Sequence, residues 1–288
     1  MKLSCIHTHT TLCDGTDDIE TCCRKAYEKG MDSIGFSAHA PITAKTGIKS
    51  SWNMSEDKIN EYLDEVRKAK KRWEGRLPVY LGLEIDFIHD LMGPSDKDYS
   101  KMELDYKIGG VHYLLTSKGD HFTVDNSAEA VEKAVIEFYD GDFYAMISSY
   151  YDAVHKMLEK GGFDILAHPD VVKKNNSGSR FFSEDNPIYI EKASSLAPLI
   201  SGQKLHCEIN TGGINRGKIT DCYPSLWLLK IFSKYEIPML ISSDAHKAEE
   251  LDGNYNIAQK MLLEAGYSSS VLFKGQINGK AQWEYIAL

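Results

Sequence analysis

The chain has 288 residues, 42% apolar and 26% charged, with a formal net charge of -9. The length allows one large α/β domain or two small ones, and the acidic balance argues against a groove for nucleic-acid backbone, which needs a basic surface. No apolar run approaches the roughly 20 residues of a membrane span, so neither a membrane nor a nucleic acid is expected as a partner, while a small anionic substrate is not excluded.

The six cysteines (Cys5, Cys13, Cys22, Cys23, Cys207 and Cys222) include no C-x-x-C pair. The N-terminus reads as a strand carrying histidine, not as a charged n-region followed by an apolar h-region, so no signal peptide is expected. In that setting the cysteines read as reduced thiols and the location as cytoplasmic. The sequence leaves the oligomeric state open.

Leu3 to Ile6 is a short apolar strand that runs into His7-Thr8-His9 and then Leu12-Cys13-Asp14-Gly15. Side chains two apart on a strand share a face. His7 and His9 therefore converge on one point, an arrangement suited to a metal. Asp17 to Glu20 opens a helix with its acids in the first turn, where the macrodipole favours them, and Gly30 closes it. Asp32 to His39 is a second strand, again ending in histidine. A polar loop, Thr43 to Asn53, carries Trp52. Ser55 caps an amphipathic helix from Glu56 to Trp73, with Ile59, Leu63 and Val66 at helical spacing.

Pro78 to Ile85 is the third strand, ending in Glu84 with Asp86 beyond, and Tyr106 to His112 is the fourth. Gly119 to Asn126 reads as an excursion and Ala128 to Gly162 as mostly helical. Phe163 to His168 is the fifth strand, followed by a polar loop, Pro169 to Asp185, that contains Arg180. Pro187 to Ser201 is a helix. Leu205 to Ile209 is the sixth strand, running into Asn210-Thr211-Gly212-Gly213. Tyr223 to Tyr235 is a helix, and Pro238 to Ser243 is the seventh strand, ending in Asp244-Ala245-His246. A helix from about Asn254 to Glu264 and a last short strand, Ser269 to Phe273, follow.

Strand and helix alternate about seven times, which means βαβ units and a parallel sheet. No glycine-rich phosphate turn follows the first strand, as an open doubly wound sheet would have. Nearly every strand instead ends in a residue able to bind metal, and in a β/α barrel functional residues gather at the C-terminal ends of the strands. The expected fold is a closed or nearly closed, TIM-like (β/α)7 barrel formed by one domain, residues 1–288. The strand-end inventory is His7, His9, Asp14, His39, Glu84, His112, His168, Asp244 and His246. A mononuclear site needs three or four protein ligands, so this set suggests two or three divalent ions, with Glu84 able to bridge two of them through its two oxygens. Zn, Fe, Mn and Co all suit such ligands.

His-Thr-His-Thr-x-x-Cys-Asp-Gly at 7–15, Ser-Ala-His-Ala at 37–40, Gly-Leu-Glu-Ile-Asp at 82–86, Gly-Gly-Val-His at 109–112, Ala-His-Pro-Asp at 167–170 and Ser-Ser-Asp-Ala-His at 242–246 resemble, in order, the motifs of the PHP (polymerase and histidinol phosphatase) superfamily. The resemblance implies a distorted seven-stranded barrel with up to three divalent metals. Carried over, His7, His9, Glu84 and Asp244 would hold one ion; Glu84, His112 and His168 a second; Asp14, His39 and His246 a third. Paired ions lower the pKa of a shared water and clamp the oxygens of an in-line phosphoryl displacement. A metal-bridging hydroxide would then attack phosphorus. Proton transfer to the leaving alkoxide is not assigned by the sequence, although Asp244 and His246 are candidates. Cys13 lies near the site and reads as a packed small residue, not a nucleophile.

A substrate phosphate calls for a bidentate cation, and arginine suits that better than lysine. Arg24, Arg67, Arg72 and Arg76 lie on or at the ends of helices. Arg180 and Arg216 fall in loops after the fifth and sixth strands, on the expected site face, and both read as phosphate ligands. The stretch Glu208 to Arg216, followed by Tyr223-Pro224-Ser225, resembles the stand-alone histidinol phosphatases of the superfamily, in which two loop arginines hold the phosphate. Asp86, His206, Glu208 and Asn210 share strand parity with the site-facing positions and read equally as supporting residues of the site or as polar packing in the barrel core. His89, His121 and His155 read as surface or lid residues.

The function implied is a metal-dependent phosphomonoesterase that hydrolyses L-histidinol phosphate to L-histidinol and phosphate in histidine biosynthesis. One competing reading is a PHP phosphoesterase acting on nucleotides or other small phosphate esters. A competing reading of another class is a non-catalytic, metal-stabilised PHP interaction module, which predicts attached polymerase sequence or degraded ligands. A third is an amidohydrolase, which would usually want a bridging lysine where this chain has Glu84 or His112.

Overall fold

The computed structural model describes residues 2–116 and 118–288. Seven parallel strands form one sheet: β1 (Ser4–Cys5), β2 (Ser33–Phe36), β3 (Val79–Asp86), β4 (Tyr106–Gly110), then, past a β5–β6 hairpin (Tyr113–Leu115, His121–Thr123), β7 (Ile165–Leu166), β8 (His206–Asn210) and β9 (Met239–Ser242). Their apolar runs are buried almost throughout, as strands covered on both faces require. The order β1-β2-β3-β4-β7-β8-β9 follows the chain. A single parallel bridge, Thr8 to Ala245, brings the last strand back to the first. There the amide of His9 donates to the Ala245 carbonyl at 2.8 Å, and the Ala245 amide to the His7 carbonyl at 3.1 Å. The architecture is the distorted seven-stranded α/β barrel that the strand count implied, nearly closed.

Helices wrap the outside. The first, α1 (Ile19–Glu28), starts at Asp18, whose carboxylate accepts the Thr21 amide at 2.7 Å, and buries Cys22, Cys23 and Ala26. Next, α2 (Ile59–Arg72) buries Tyr62, Leu63, Val66 and Ala69 along one stripe. Between β6 and β7 lie α3 (Ala128–Tyr139) and α4 (Phe143–Lys160). The single helix expected over 187–201 is two, α5 (Pro187–Ser194) and α6 (Leu196–Gln203). Pro198 has no amide to give the carbonyl of Ser194, so a continuous helix breaks at Ser195. A short α7 (Gly212–Asn215), then α8 (Leu226–Lys234) and α9 (Tyr255–Glu264), complete the coat.

The chain ends in an antiparallel hairpin, β10 (Ser269–Ile277) with β11 (Lys280–Ala287), where the sequence suggested one short strand. Val271 and Phe273 of β10 pack against Ile6, Tyr106, Ile108, Ile165 and Leu240 inside the barrel. Trp283 stacks on His206 with ring centroids 3.7 Å apart. His206 thus sits against the hairpin and not in the site; burial pushes its imidazole down to about 4. The excursion at 119–126 is the second strand of the β5–β6 hairpin and the turn after it. Among the described residues, no helix is long and apolar enough to cross a membrane.

Candidate metal centre

All nine strand-end residues meet at the C-terminal mouth of the barrel. Glu84, near the end of β3, lies at the middle of the group. Its Oε2 is 2.9 Å from His39 Nδ1, 3.2 Å from His7 Nε2 and 3.5 Å from His9 Nε2. Its Oε1 is 3.0 Å from His168 Nε2 and 3.8 Å from His112 Nε2. The two oxygens therefore face two separate sets of imidazoles, the geometry a bridging carboxylate needs. Asp244 Oδ1 lies 3.1 Å from His9 Nε2 and 3.6 Å from His7 Nε2. Asp14 Oδ2 lies 3.0 Å from His246 Nε2 and 3.9 Å from His39 Nε2.

Local backbone brings the loop residues in. The turn after His9 folds tightly, with the amides of Cys13 and Gly15 both donating to the Thr10 carbonyl, at 2.9 and 3.0 Å. A Cβ on Gly15 would lie 2.6 Å from the Thr10 nitrogen, so only glycine lets Asp14 return to His9. Asp244 has φ 48°, the left-handed region, where aspartate is tolerated at some cost.

The donor set fits divalent metal. His7 Nε2, His9 Nε2, His39 Nδ1, Glu84 Oε2, Asp14 Oδ1 and His168 Nδ1 are buried and have no hydrogen-bond partner. Each such orphan costs about 1–3 kcal/mol, and native proteins leave few of them. Here they cluster, and groups of imidazole and carboxylate atoms (His7/His9/Glu84, Glu84/His112/His168, His9/Asp14/His39/His246) lie within 4.8 Å of one another. A cation placed among them relieves several orphans at once.

Neighbouring charges and burial shift the titration of the group in both directions. Burial opposes charge on His7 and on His112, yet Glu208 and Glu84 hold the first well above its usual value, and Asp86 pushes the second up to about 10. Burial, with His246 and His39 nearby, drives His9 down to about 3. Glu84 stays well below the usual carboxylate range because His39 and His7 outweigh its burial, as Arg216 and His7 do for Asp244.

Outer partners fix the imidazoles. Glu208 accepts His7 Nδ1 at 2.8 Å, Ser242 Oγ at 2.6 Å, the His168 amide at 2.9 Å and Asn210 Nδ2 at 2.7 Å. Its lone pairs are used up, so it orients His7 and does not ligate. Asp86 does the same for His112, at 2.8 Å, and is itself held by Asn53. Asp86, Glu208 and Asn210 thus occupy the supporting positions that strand parity suggested.

The centre floors a cleft of about 490 Å³. Arg216 lines it and donates to Asp244 Oδ2 at 2.9 Å and to the Asp244 carbonyl at 3.0 Å. A Cβ on Gly212 would lie 2.7 Å from Arg216 Nη2, so that glycine makes room for the guanidinium. Arg180 does not line the cleft. Its guanidinium lies over the Phe181 ring and faces Glu129 and Glu132 of α3, at 3.8 and 3.7 Å. The cation that this loop sends into the cleft is Lys174, because Lys173 beside it is buried and tied to Ser225, the Cys222 carbonyl and Asp221. An arginine-only search passes over Lys174.

Trp52, Asp125 and Tyr223 also line the cleft. The Tyr223 hydroxyl is buried and has no partner. Cys13 lies 3.6 Å from His9 Nδ1, and burial with Asp14 beside it pushes its thiol up to about 11, which leaves it protonated. His89, His121 and His155 stand outside the cleft lining.

Residues 6–212 match the PHP domain. A Bacillus subtilis histidinol-phosphatase is 25% identical to this chain, over 86% of it and 95% of its own length. A Deinococcus radiodurans protein that carries the same name provisionally is 28% identical, over 90% and 92%. Among solved structures, the histidinol phosphate phosphatase of Lactococcus lactis, complexed with zinc, L-histidinol and phosphate, has a TM-score of 0.68 at 16% identity, covering 98% of this chain and 99% of its own. The ordered strand-end motifs, the seven-stranded barrel that gathers them and the match over 6–212 agree: the chain belongs to the PHP domain family.

Proposed function

We propose that the protein is a metal-dependent phosphomonoesterase that hydrolyses L-histidinol phosphate to L-histidinol and phosphate, and that residues 1–288 act as one catalytic domain in the cytoplasm. The observation that carries the reaction class is Glu84, which turns one oxygen to the orphaned nitrogens of His7, His9 and His39 and the other to His168 and His112, at the floor of a cleft that also holds Arg216 and Lys174. The substrate follows from the names of the relatives and from the ligands of the Lactococcus lactis enzyme.

In this reading His7, His9, Glu84 and Asp244 hold one divalent ion, Glu84, His112 and His168 a second, and Asp14, His39 and His246 a third. Zinc is supported by the Lactococcus structure, and Mn, Fe or Co suit the same donors. Such ions supply Lewis acidity, activating water and offsetting charge on a phosphoryl group. The chain's own residues bind and orient. Arg216 offers a fixed guanidinium beside Asp244, Lys174 a second cation, and the Tyr223 hydroxyl a donor to a phosphoryl or ester oxygen. Asp244 and His246 are the candidates for moving the proton to the leaving alkoxide; His246, 21% exposed, is the more accessible.

The test is phosphate release by metal-loaded protein from L-histidinol phosphate, AMP and an aryl phosphate. The expected kcat/KM favours histidinol phosphate by about 10³, of order 4 kcal/mol in transition-state binding. Equal, slow rates on all three overturn the histidinol assignment. No release from any, with metals bound, overturns the enzymatic reading in favour of a binding module.

A further inference from the structure

Four carboxylates line the cleft among the described residues: Asp14, Glu84, Asp125 and Asp244. Three belong to the metal-binding constellation. Asp125 does not; it lies just past β6 on the cleft wall and pairs through Oδ2 with Lys174 Nζ at 2.8 Å. The wall is held in place. The Val124 amide donates to the His112 carbonyl at 2.9 Å, and Asn175 Nδ2 to the Asn126 carbonyl at 2.7 Å. Burial works against charge on Asp125, but Lys174 and His112 outweigh it and hold the carboxyl below its usual range.

An anion on this wall is costly for a simple phosphatase. A phosphate dianion that approaches Lys174 meets the Asp125 charge at the same place, and like charges repel. The arrangement becomes complementary when the substrate carries its own cation close to its phosphate. Lys174 then turns to the phosphate and the substrate's ammonium replaces it on Asp125, so that one zwitterion docks antiparallel on another. Because the pair is already formed on a tethered wall, little ordering is lost on binding.

We propose that Asp125 is a specificity-determining residue that accepts the ammonium group of an aminoalkyl phosphate monoester, with Lys174 as the exchange partner on the phosphate. This rests on the phosphomonoesterase reading of the site and names the substrate class within it.

The experiment compares L-histidinol phosphate with its des-amino analogue, and phosphoethanolamine with ethyl phosphate, on metal-loaded wild type and on Asp125→Asn. Wild type is expected to favour each amine-bearing ester by about 10², the scale of a lost charged partner that is partly solvated. In D125N that preference should collapse to within about threefold, through a fall in kcat/KM for the amine-bearing ester, and Asp125→Glu should restore part of it. A wild type indifferent to the amine overturns the proposal, as does a D125N in which the preference survives while both esters slow together. Calorimetric binding of L-histidinol and of the des-amino alcohol reads the same preference without turnover, so a misfolded or slow variant still gives an answer. If phosphoethanolamine is used as well as L-histidinol phosphate, the histidinol assignment fails while the role of Asp125 stands.

Discussion

Two side chains at the centre test how its chemistry is divided. Glu208 carries four hydrogen bonds and reaches the proposed metals through the His7 ring and the His168 amide. Glu208→Gln keeps the shape but replaces one acceptor oxygen with a donor facing His7 or Ser242. Metal affinity and kcat/KM should fall about 10–100-fold, the usual loss for such outer partners, as read by metal content after dialysis and by initial rates. Tyr223 is the opposite case. Its buried hydroxyl satisfies nothing in the protein, so Tyr223→Phe should leave the melting temperature unchanged or raise it while lowering kcat/KM about 10-fold. A matching loss of stability would mean that the hydroxyl serves the fold. At this scale the sequence was most legible close to strand ends: Glu84 lies in β3, and His7, His9, His112 and His168 follow β1, β4 and β7 within four residues, which places them all at one end of the barrel. It was least legible in loops. Arg180 and Lys174 share one loop; Lys174 pairs with Asp125 in the cleft while Arg180 lies near Glu129 and Glu132, and no spacing rule supplies the placement of those acids.

Among the elements, the buried barrel strands were legible because continuous apolar runs mark them, whereas the C-terminal hairpin was half hidden. In β11, Lys280–Ala287, polar and apolar residues mix, and no position is fully buried. A strand covered on one side gives a weak signal when its partner supplies most of the apolar contact. That partner, β10, carries Phe273, 1% exposed, into the end of the barrel away from the metal centre. Phe273→Ala should destabilise the fold by about 3–5 kcal/mol, the cost of emptying a buried aromatic site, measured by urea unfolding. Phe273 has no part in the cleft, so kcat/KM at temperatures well below melting should match wild type. A loss of activity in the still-folded variant would show that the hairpin shapes the mouth of the barrel as well as closing its base.

For the molecule as a whole, the proposed ligands come from β1, β2, β3, β4, β7 and β9 or the turns just after them, so bound ions would tie together strand ends from around the barrel. The seam most dependent on them is the one with least backbone pairing. β1 and β9 are joined by one bridge, Thr8 to Ala245, flanked by His7 and His9 on one side and by Asp244 and His246 on the other. Remove the ions and that seam keeps three backbone hydrogen bonds, His9 to Ala245, Ala245 to His7 and Thr16 to His246, beside a cluster of buried imidazole and carboxylate atoms that lack partners. Ligand binding to the native state adds RT ln(1 + [L]/Kd), about 4 kcal/mol per ion at a thousandfold excess over Kd. Chelation should therefore lower the melting temperature well beyond what a surface ion would cause, and stoichiometric metal should restore it. The opening should also be local. The amides of His9 and Ala245, which bond across the seam, should lose exchange protection first on metal removal, while the β3–β4 amides, in a five-residue register from Gly82 to Asp86, keep theirs. Uniform loss of protection would instead mean that the barrel melts as one unit. Unchanged protection and melting would mean that the seam holds by packing alone and that the clustered imidazoles are a catalytic feature without a structural one.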